Sequence, residues 1–266
     1  EILRFWLRKG VDGFRVDVAH GMVKRHGLPD AQDREANGVQ FGISHMTEEE
    51  AEVRIPYWGQ PGVHDFIRRF RRVIDEFPDR AACAEASMSP LSRLAKWVRP
   101  DEYHQSFNFD YLDTPFEPAA LQKIVTDSLR EYGAVGAAST WVLSNHDVIR
   151  HVTRFAVPGV SDWARWYREN RFAPKLDLEL GSARAKAMTM LLLALPGGTY
   201  MYQGEELGLP EVLDIQPKDM QDPSFFRNPE VGLSRDGCRV PLPWATSGTS
   251  FGFGSNGSHL PMPTWY

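Results

Sequence analysis

The stretch that decides the fold occupies residues 10–20 and reads Gly10-Val11-Asp12-Gly13-Phe14-Arg15-Val16-Asp17-Val18-Ala19-His20. Its alternating apolar residues predict a buried strand that runs into a loop. Side chains on a strand point alternately to its two faces, so Arg15 and Asp17 share one face. Burying either of them unpaired would be costly. The stretch alone leaves two explanations: a salt-bridged core pair, or a carboxylate that a guanidinium keeps ionised and oriented.

The composition is typical of a globular protein, with 266 residues, of which 42% are hydrophobic and 24% charged. The net charge is −5 and no basic block is present, so the sequence gives no support to a nucleic-acid partner. The sequence contains no run of 18 apolar residues, so it predicts no membrane partner. The two cysteines, Cys83 and Cys238, fit neither a disulfide framework nor a zinc site. We therefore expect two thiols, a reducing compartment and a cytoplasmic location.

Predicted helices and strands alternate along most of the chain. The strands are expected at residues 11–17, 81–85, 107–111, 140–146 and 199–203, and the helices at 1–9, about 60–77, 91–98, 118–132, 163–170 and 182–195, the last with Ser182 as its N-cap. This alternation predicts an α/β fold with a parallel sheet covered by helices. An open doubly wound sheet and part of an eight-stranded barrel both fit, although no strand is followed by a glycine-rich dinucleotide-binding loop.

Two long stretches interrupt the alternation. Residues from about 20 to 60 are polar and contain several turn signals, which is typical of a functional insertion in a compact domain. Residues from about 204 onwards are rich in Gly, Pro and Ser, and we expect them to be irregular.

Acidic residues recur at the predicted strand ends, where Asp17, Glu85 and Asp147 follow three different strands. In a barrel these ends meet on one face, where active sites are built. Strand ends also bear polar residues simply because they meet water, but Arg15 and His146 lie within two residues of two of these acids, which favours function. Paired carboxylates suit glycoside hydrolysis. A metal site is not predicted, because the two-histidine spacing of a zinc helix is absent.

At this point the sequence resembles the α-amylase family of glycoside hydrolases. Three stretches match family signatures in the family's order, namely Gly13-Phe14-Arg15-Val16-Asp17-Val18-Ala19-His20, Ala84-Glu85-Ala86 and Ser144-Asn145-His146-Asp147. Residues 195–206 look like the family's last barrel strand, and residues 234–244 resemble the arginine loop of its α-glucosidases and oligo-1,6-glucosidases. The resemblance implies a (β/α)₈ TIM barrel.

The resemblance also implies roles for the strand-end acids. Asp17 would be the nucleophile, Glu85 the general acid/base, and Asp147 a third carboxylate that grips the sugar 2- and 3-hydroxyls. Arg15 would keep Asp17 ionised, since a neighbouring cation lowers the pKa of a carboxylate. Glu85 has small and apolar sequence neighbours, which suits an acid that is protonated at rest.

Two further residues would bind substrate. His146 would donate a hydrogen bond to the sugar in the cleavage subsite. Arg239, paired with the acid of the family's first signature, would close the non-reducing end, which favours removal of single glucose units. The alternative for Arg239 is a surface side chain paired with Asp236.

The family's first signature, its first three barrel strands and its C-terminal β-domain have no counterpart here. We therefore expect residues 1–266 to be a partial catalytic domain, from about barrel strand 4 to just past strand 8, that is inactive alone. The site residues predict no cofactor and no metal, and calcium would involve only other parts of a complete protein.

These features predict a retaining, exo-acting α-glucosidase whose partner is an oligosaccharide or disaccharide. One alternative is transglucosidation on the same site, as in a trehalose synthase or a sucrose isomerase. Another is a non-catalytic relative, which the three retained carboxylates disfavour.

Overall fold

The computed structural model describes residues 1–30, 55–160, 162–172, 174–227, 234–255 and 257–266. The predicted insertion at about 20–60 is thus described only at its ends, and residues 31–54 lie outside the described residues. The chain divides into two compact units. Unit 1 comprises Glu1–Tyr111, Gln122–Trp141 and Pro196–Gly198, and unit 2 comprises Leu112–Leu121, Val142–Leu195 and Thr199–Tyr266.

Five strands form one sheet in the order of the sequence: β1 (Gly13–Val16), β2 (Ala81–Ala84), β3 (Gln105–Asn108), β4 (Thr140–Val142) and β5 (Gly198–Tyr200). The first three pairings are parallel, with Arg15 opposite Cys83 and Asn108 opposite Trp141. The strand order does not reverse, whereas a doubly wound sheet reverses at its switch point. Among the described residues, the sheet therefore follows the barrel alternative.

Helices alternate with the strands as the sequence predicts. They are α1 (Ile2–Arg8), α2 (Val63–Ile74), α3 (Leu91–Ala95), α4 (Phe109–Leu112), α5 (Pro118–Ala134), α6 (His151–Ala156), α7 (Trp163–Asn170), α8 (Leu178–Ala194), α9 (Pro223–Arg227) and α10 (Asp236–Arg239), with short 3₁₀ helices at Ala19–Gly21, Lys96–Val98, Pro217–Asp219 and Thr249–Gly252. No helix in the described ranges is long and apolar enough to span a bilayer.

Three local predictions are wrong in detail. The strand predicted at 107–111 ends at Asn108, whose side-chain oxygen accepts from the Tyr111 N–H at 3.1 Å and starts α4 instead. The N-cap of α8 is Asp177, not Ser182, and its carboxylate accepts from the Leu180 N–H at 2.9 Å. Helix α6 was not predicted, because its six residues are too few to show a helical period of apolar positions.

The core of unit 1 lies beneath the sheet and α2. Helix α2 buries Val63, Ile67 and Ile74, which recur on one face of the helix as the apolar spacing predicts. Val63 and Ile67 pack in a cluster with buried residues that include Val16 of β1 and Trp97. Both cysteines lie in the described part of the chain, both are buried, and neither forms a disulfide, as predicted.

Candidate active site

Two of the predicted catalytic carboxylates lie together in unit 1, where one guanidinium contacts both. Arg15 Nη1 donates to Asp17 Oδ1 at 2.6 Å, and Arg15 Nη2 lies 3.1 Å from Glu85 Oε2. Asp17 follows β1 and Glu85 follows β2, so the parallel pairing of these strands brings both acids to the same end of the sheet. The Asp17 side chain is 68% exposed and that of Glu85 only 6%. One carboxylate is therefore open to solvent, while protein encloses the other.

The surroundings of Glu85 favour its protonated form. Burial raises the pKa of the Glu85 carboxyl, and its hydrogen bond with Asp17 raises it further. Two contacts oppose this shift: the Val18 N–H, which donates to Glu85 Oε2 at 3.0 Å, and the charge of Arg15. Withdrawal from water outweighs them because it penalises the charged form. A carboxyl whose pKa is raised can hold the proton that a general acid donates.

The loop after β1 reaches Glu85 through an uncommon backbone conformation. Val18 adopts φ 45° and ψ 42°, in the left-handed region that a β-branched residue seldom occupies. This turn directs its N–H at the Glu85 carboxylate. The next residue, Ala19, donates its N–H to the Glu85 carbonyl at 2.9 Å. The loop thus binds both the side chain and the backbone of Glu85.

Asp147 lies in unit 2, in the loop after β4, where two guanidinium groups share one of its oxygens. Arg235 Nη1 and Arg239 Nη2 donate to Asp147 Oδ1 at 2.7 and 2.8 Å. Arg239 Nε also donates to the His146 carbonyl at 2.7 Å, and the Asp147 N–H donates to Asn145 Oδ1 at 2.8 Å. The other carboxylate oxygen, Oδ2, lies 3.5 Å from His146 Nε2. Charge-assisted hydrogen bonds therefore orient Asp147.

Asp222 in turn fixes Arg235. The Arg235 Nε and Nη2 atoms donate to the two Asp222 carboxylate oxygens, each at 2.8 Å, and the Arg235 backbone N–H donates at 2.8 Å. Burial alone would raise the pKa of Asp222, but hydrogen bonds from Arg235 and from the Ser224 N–H hold it well below its usual range. Its hydrogen bonds to the Asp222 carboxylate raise the pKa of Arg235. Arg235 is therefore a cation held by a bidentate contact.

Helix α10, which bears Arg239, is held at the carbonyl of Cys238. Arg150 Nη2 and the Tyr202 hydroxyl donate to this carbonyl at 2.9 and 3.0 Å. Arg150 is buried, and its backbone N–H donates to Glu211 Oε2 at 2.9 Å. Burial raises the pKa of Glu211 to about 7, although hydrogen bonding and charge from Arg150 oppose the shift. This buried network fixes the backbone of α10.

The six predicted site residues fall into two groups of three. Asp17, Glu85 and Arg15 meet in unit 1. Asp147, His146 and Arg239 meet in unit 2. A pocket shared by all three carboxylates stays a prediction, as does the separation of roughly 5–5.5 Å that retaining glycosidases require between nucleophile and acid.

The pairing of Arg239 differs from both expectations. The structure pairs it with Asp147, whereas the sequence left a choice between an acid outside this chain and Asp236. Asp236 is buried, and its carboxylate accepts from the Gln221 and Asp222 N–H groups at 2.8 and 3.0 Å.

Sequence reasoning missed Arg235 and Asp222. A signal for Arg235 was present, since it precedes Arg239 by four residues, a spacing that puts two side chains on one side of a helical turn. Asp222 had no signal, because it lies in the stretch expected to be irregular. Among the described residues, no group of three or more His, Cys, Asp or Glu side chains is arranged to hold a metal ion. A reaction without metal or cofactor stays a prediction.

The family model described as the alpha amylase catalytic domain matches residues 1–266. The chain belongs to the alpha-amylase family. Its catalytic domains are (β/α)₈ barrels, and the five parallel strands are part of such a barrel, which confirms the predicted fold class. Membership makes the chain a relative of glycoside hydrolases, as the sequence motifs indicated.

Individual alpha-amylase family members match nearly the whole chain. A probable alpha-glucosidase of Rhizobium meliloti (strain 1021) is 32% identical over 267 residues, which cover 97% of this chain and 44% of that protein. The oligo-1,6-glucosidase of Parageobacillus thermoglucosidasius is 26% identical over 278 residues, which cover 93% of this chain and 44% of that protein. The crystal structure of an alpha-glucosyl transfer enzyme, XgtA, matches with a TM-score of 0.72 and 28% identity, covering 98% and 44%. The chain thus spans less than half the length of these relatives.

Proposed function

We propose that the protein is a retaining, exo-acting α-glucosidase that releases terminal α-linked glucose from malto- or isomalto-oligosaccharides. The observation that supports this function best is the pair formed by exposed Asp17 and buried Glu85 under one guanidinium, Arg15. An exposed carboxylate suits a nucleophile, and a buried carboxyl with a raised pKa suits a proton donor. Relatives named alpha-glucosidase and oligo-1,6-glucosidase support the substrate class.

In the first half of the reaction, Asp17 attacks the anomeric carbon of the terminal glucose. The bond from that carbon to the glycosidic oxygen breaks, and the oxygen takes the proton of Glu85. The products are a glycosyl ester on Asp17, an ionised Glu85 and the shortened sugar, which leaves as an alcohol.

In the second half, Glu85 removes a proton from water, whose oxygen attacks the anomeric carbon and expels Asp17 as a carboxylate. Arg15 helps Glu85 to change from a proton donor into a proton acceptor. While Asp17 is charged, it raises the pKa of Glu85, but the ester cancels that charge. The guanidinium 3.1 Å from Glu85 Oε2 remains and favours the ionised form that a base needs.

The exo preference rests on Arg239. Arg239 and His146 both contact Asp147. The Asp147 carboxylate would bind the sugar 2- and 3-hydroxyls, which would place Arg239 beside the terminal glucose. An arginine placed against the terminal glucose would prevent a longer chain from passing through.

Transglucosidation is the second candidate, because XgtA, which is an alpha-glucosyl transfer enzyme, matches 98% of the chain. In this reaction a sugar hydroxyl, rather than water, attacks the glycosyl ester. Product analysis on maltose, isomaltose, trehalose and sucrose separates the two. Free glucose without new disaccharides indicates hydrolysis, and isomerised disaccharides indicate transfer.

The test of the central step traps the ester. The full-length protein is incubated with 5-fluoro-α-glucosyl fluoride, digested and analysed by mass spectrometry. We expect one 5-fluoroglucosyl adduct on the peptide that contains Asp17, and α-glucose as the first sugar released from p-nitrophenyl α-glucoside, followed by ¹H NMR. A β-anomeric first product, or an adduct on another residue, would overturn the proposal.

A further inference from the structure

Two stacked aromatic side chains in unit 1, His20 and Trp58, have no role in the reaction proposed above. Their ring centroids are 3.8 Å apart and their planes are inclined by 35°. Both side chains are buried. His20 belongs to the short 3₁₀ helix just after Asp17, so the stacked pair lies next to the candidate catalytic loop.

This stacked pair holds the peptide groups of Ser87, two residues after Glu85. The Ser87 N–H donates to His20 Nδ1 at 3.2 Å. The Trp58 indole N–H donates to the Ser87 carbonyl at 2.8 Å. Two side chains that stack on each other therefore bind both backbone polar groups of one residue.

Backbone hydrogen bonds hold the preceding part of the same segment. The Glu85 N–H donates to the Val16 carbonyl and the Glu85 carbonyl accepts from the Ala19 N–H, both at 2.9 Å. The His20 carbonyl accepts from the Gly59 N–H at 2.8 Å, which anchors the histidine itself. Residues 85–87 are therefore fixed at both ends by the loop that follows β1.

The contact with Ser87 specifies the state of the imidazole. A ring nitrogen accepts a hydrogen bond only when it is unprotonated, so the proton of His20 must be on Nε2. Burial lowers the pKa of His20 to about 4. A hydrogen bond with the Glu85 backbone and the charge of Asp17 raise this pKa, whereas the charge of Lys24 lowers it further. At neutral pH the ring is thus uncharged and its acceptor is available.

We propose that His20 is a positioning residue for Glu85, which it aims by holding the Ser87 peptide through Nδ1. The inference rests on the proposed function, in which Glu85 protonates the leaving oxygen. Proton donation requires hydrogen-bond geometry at both carboxyl and leaving group. A looser segment 85–87 would therefore impair acid-assisted departure far more than substrate binding.

The experiment compares His20→Asn with His20→Gln in the full-length protein. The side-chain oxygen of Asn replaces Nδ1 at the same distance along the side chain, whereas the polar atoms of Gln lie one atom further out. Each variant is assayed on maltose, whose leaving group needs a proton, and on α-glucosyl fluoride, whose leaving group needs little help. His26→Gln, at an exposed histidine of the same loop, is the matched control and should retain wild-type kinetics.

We expect His20→Gln to lose about 10- to 100-fold in kcat on maltose, part of the usual 10²–10⁴-fold effect of a general acid, with KM little changed. On α-glucosyl fluoride its loss in kcat/KM, which reports only the first half of the reaction, should stay below about threefold, because fluoride leaves without a proton from Glu85. His20→Asn should keep most of the maltose activity. Equal losses in kcat/KM on both substrates, or an Asn variant as poor as the Gln variant, would overturn the proposal.

A measurement on the unaltered protein covers the case in which His20→Gln does not fold. ¹⁵N NMR of histidine-labelled protein should show the His20 ring with Nδ1 unprotonated and Nε2 protonated at pH 7. A proton on Nδ1 would contradict the contact with Ser87. Glu85→Gln tests the proposed function separately, since full maltose activity in that variant refutes the acid role of Glu85 whatever His20 does.

Discussion

The two units pair carboxylates with guanidinium groups in different ways. In unit 1 a single guanidinium, that of Arg15, contacts the carboxylates of both Asp17 and Glu85. In unit 2 a single carboxylate, that of Asp147, contacts two guanidinium groups. Acids that outnumber their cation keep a proton more readily, since a second negative charge disfavours ionisation. Two guanidinium groups that donate to one oxygen hold the Asp147 carboxylate in a fixed orientation. The first arrangement suits proton transfer, and the second suits a fixed ligand for hydroxyl groups.

The largest expected effect comes from removing one acid of the unit 1 pair. Asp17→Asn should lower kcat on maltose by about 10³-fold or more, because an amide cannot form the glycosyl ester. The fold should stay intact, which circular dichroism of the variant checks.

Asp12→Asn is the matched control for that experiment, since Asp12 also adjoins β1 but is exposed and pairs with Arg80 at 2.9 Å. It should leave the kinetics unchanged. If Asp17→Asn retained more than about a hundredth of wild-type activity, covalent catalysis by Asp17 would be wrong.

The next effect comes from removing one cation of the unit 2 arrangement. Arg239→Ala should weaken transition-state binding of maltose by about 2–4 kcal/mol, roughly 30- to 1000-fold in kcat/KM, because charge-assisted contacts are lost. Activity on long soluble starch, relative to maltose, should rise if Arg239 blocks longer chains. Arg165→Ala, at a mostly exposed arginine of α7, is the control. Unchanged maltose kinetics would place Arg239 outside the site.

The smallest effect concerns what holds the other cation in place. Asp222→Asn should lower the free energy of unfolding at pH 7 by about 1–3 kcal/mol, since one partner of a buried pair is weakened while Arg235 is partly exposed. The folded-state pKa of Asp222 is depressed, so its stabilisation is present above the unfolded pKa, about 3.9, and is lost as the pH falls through the folded value.

Denaturant titrations at a series of pH values test this sign. The difference in the free energy of unfolding between wild type and Asp222→Asn should be largest near neutral pH. It should shrink below pH 4, about where an unfolded Asp titrates. The exposed Asp214→Asn serves as control and should show no such trend. A difference that grows towards acid pH would contradict the assignment of Asp222 as the anionic partner of Arg235.

Local patterns predicted the parts of the molecule that depend on local physics. Alternation in residues 11–17 predicted β1, and the position of Asp17 and Glu85 after their strands predicted that both acids lie at the same end of the sheet. The spacing of apolar residues likewise predicted α2 and its buried face. In each case the information lies within a few residues along the chain.

Contacts between distant residues could not be predicted in this way. Arg235 and Arg239 meet an acid 88 and 92 residues away, and no pattern near them indicates that both bind one oxygen atom. His20 stood in the deciding stretch, yet its partner is a backbone N–H 67 residues away, and every residue except proline offers one. Residue types in the sequence therefore show which side chains are capable of catalysis or binding, whereas the tertiary structure decides which of them come into contact.

The backbone and the side chain of Val18 face different partners. Its N–H binds the carboxylate of Glu85, while its side chain is half exposed beside Asp17. Any residue other than proline supplies that N–H, and glycine, asparagine or aspartate would adopt the left-handed backbone with less strain than valine. Position 18 can therefore exchange its side chain during evolution, and alter the surface beside Asp17, while the backbone contact with Glu85 is inherited unchanged.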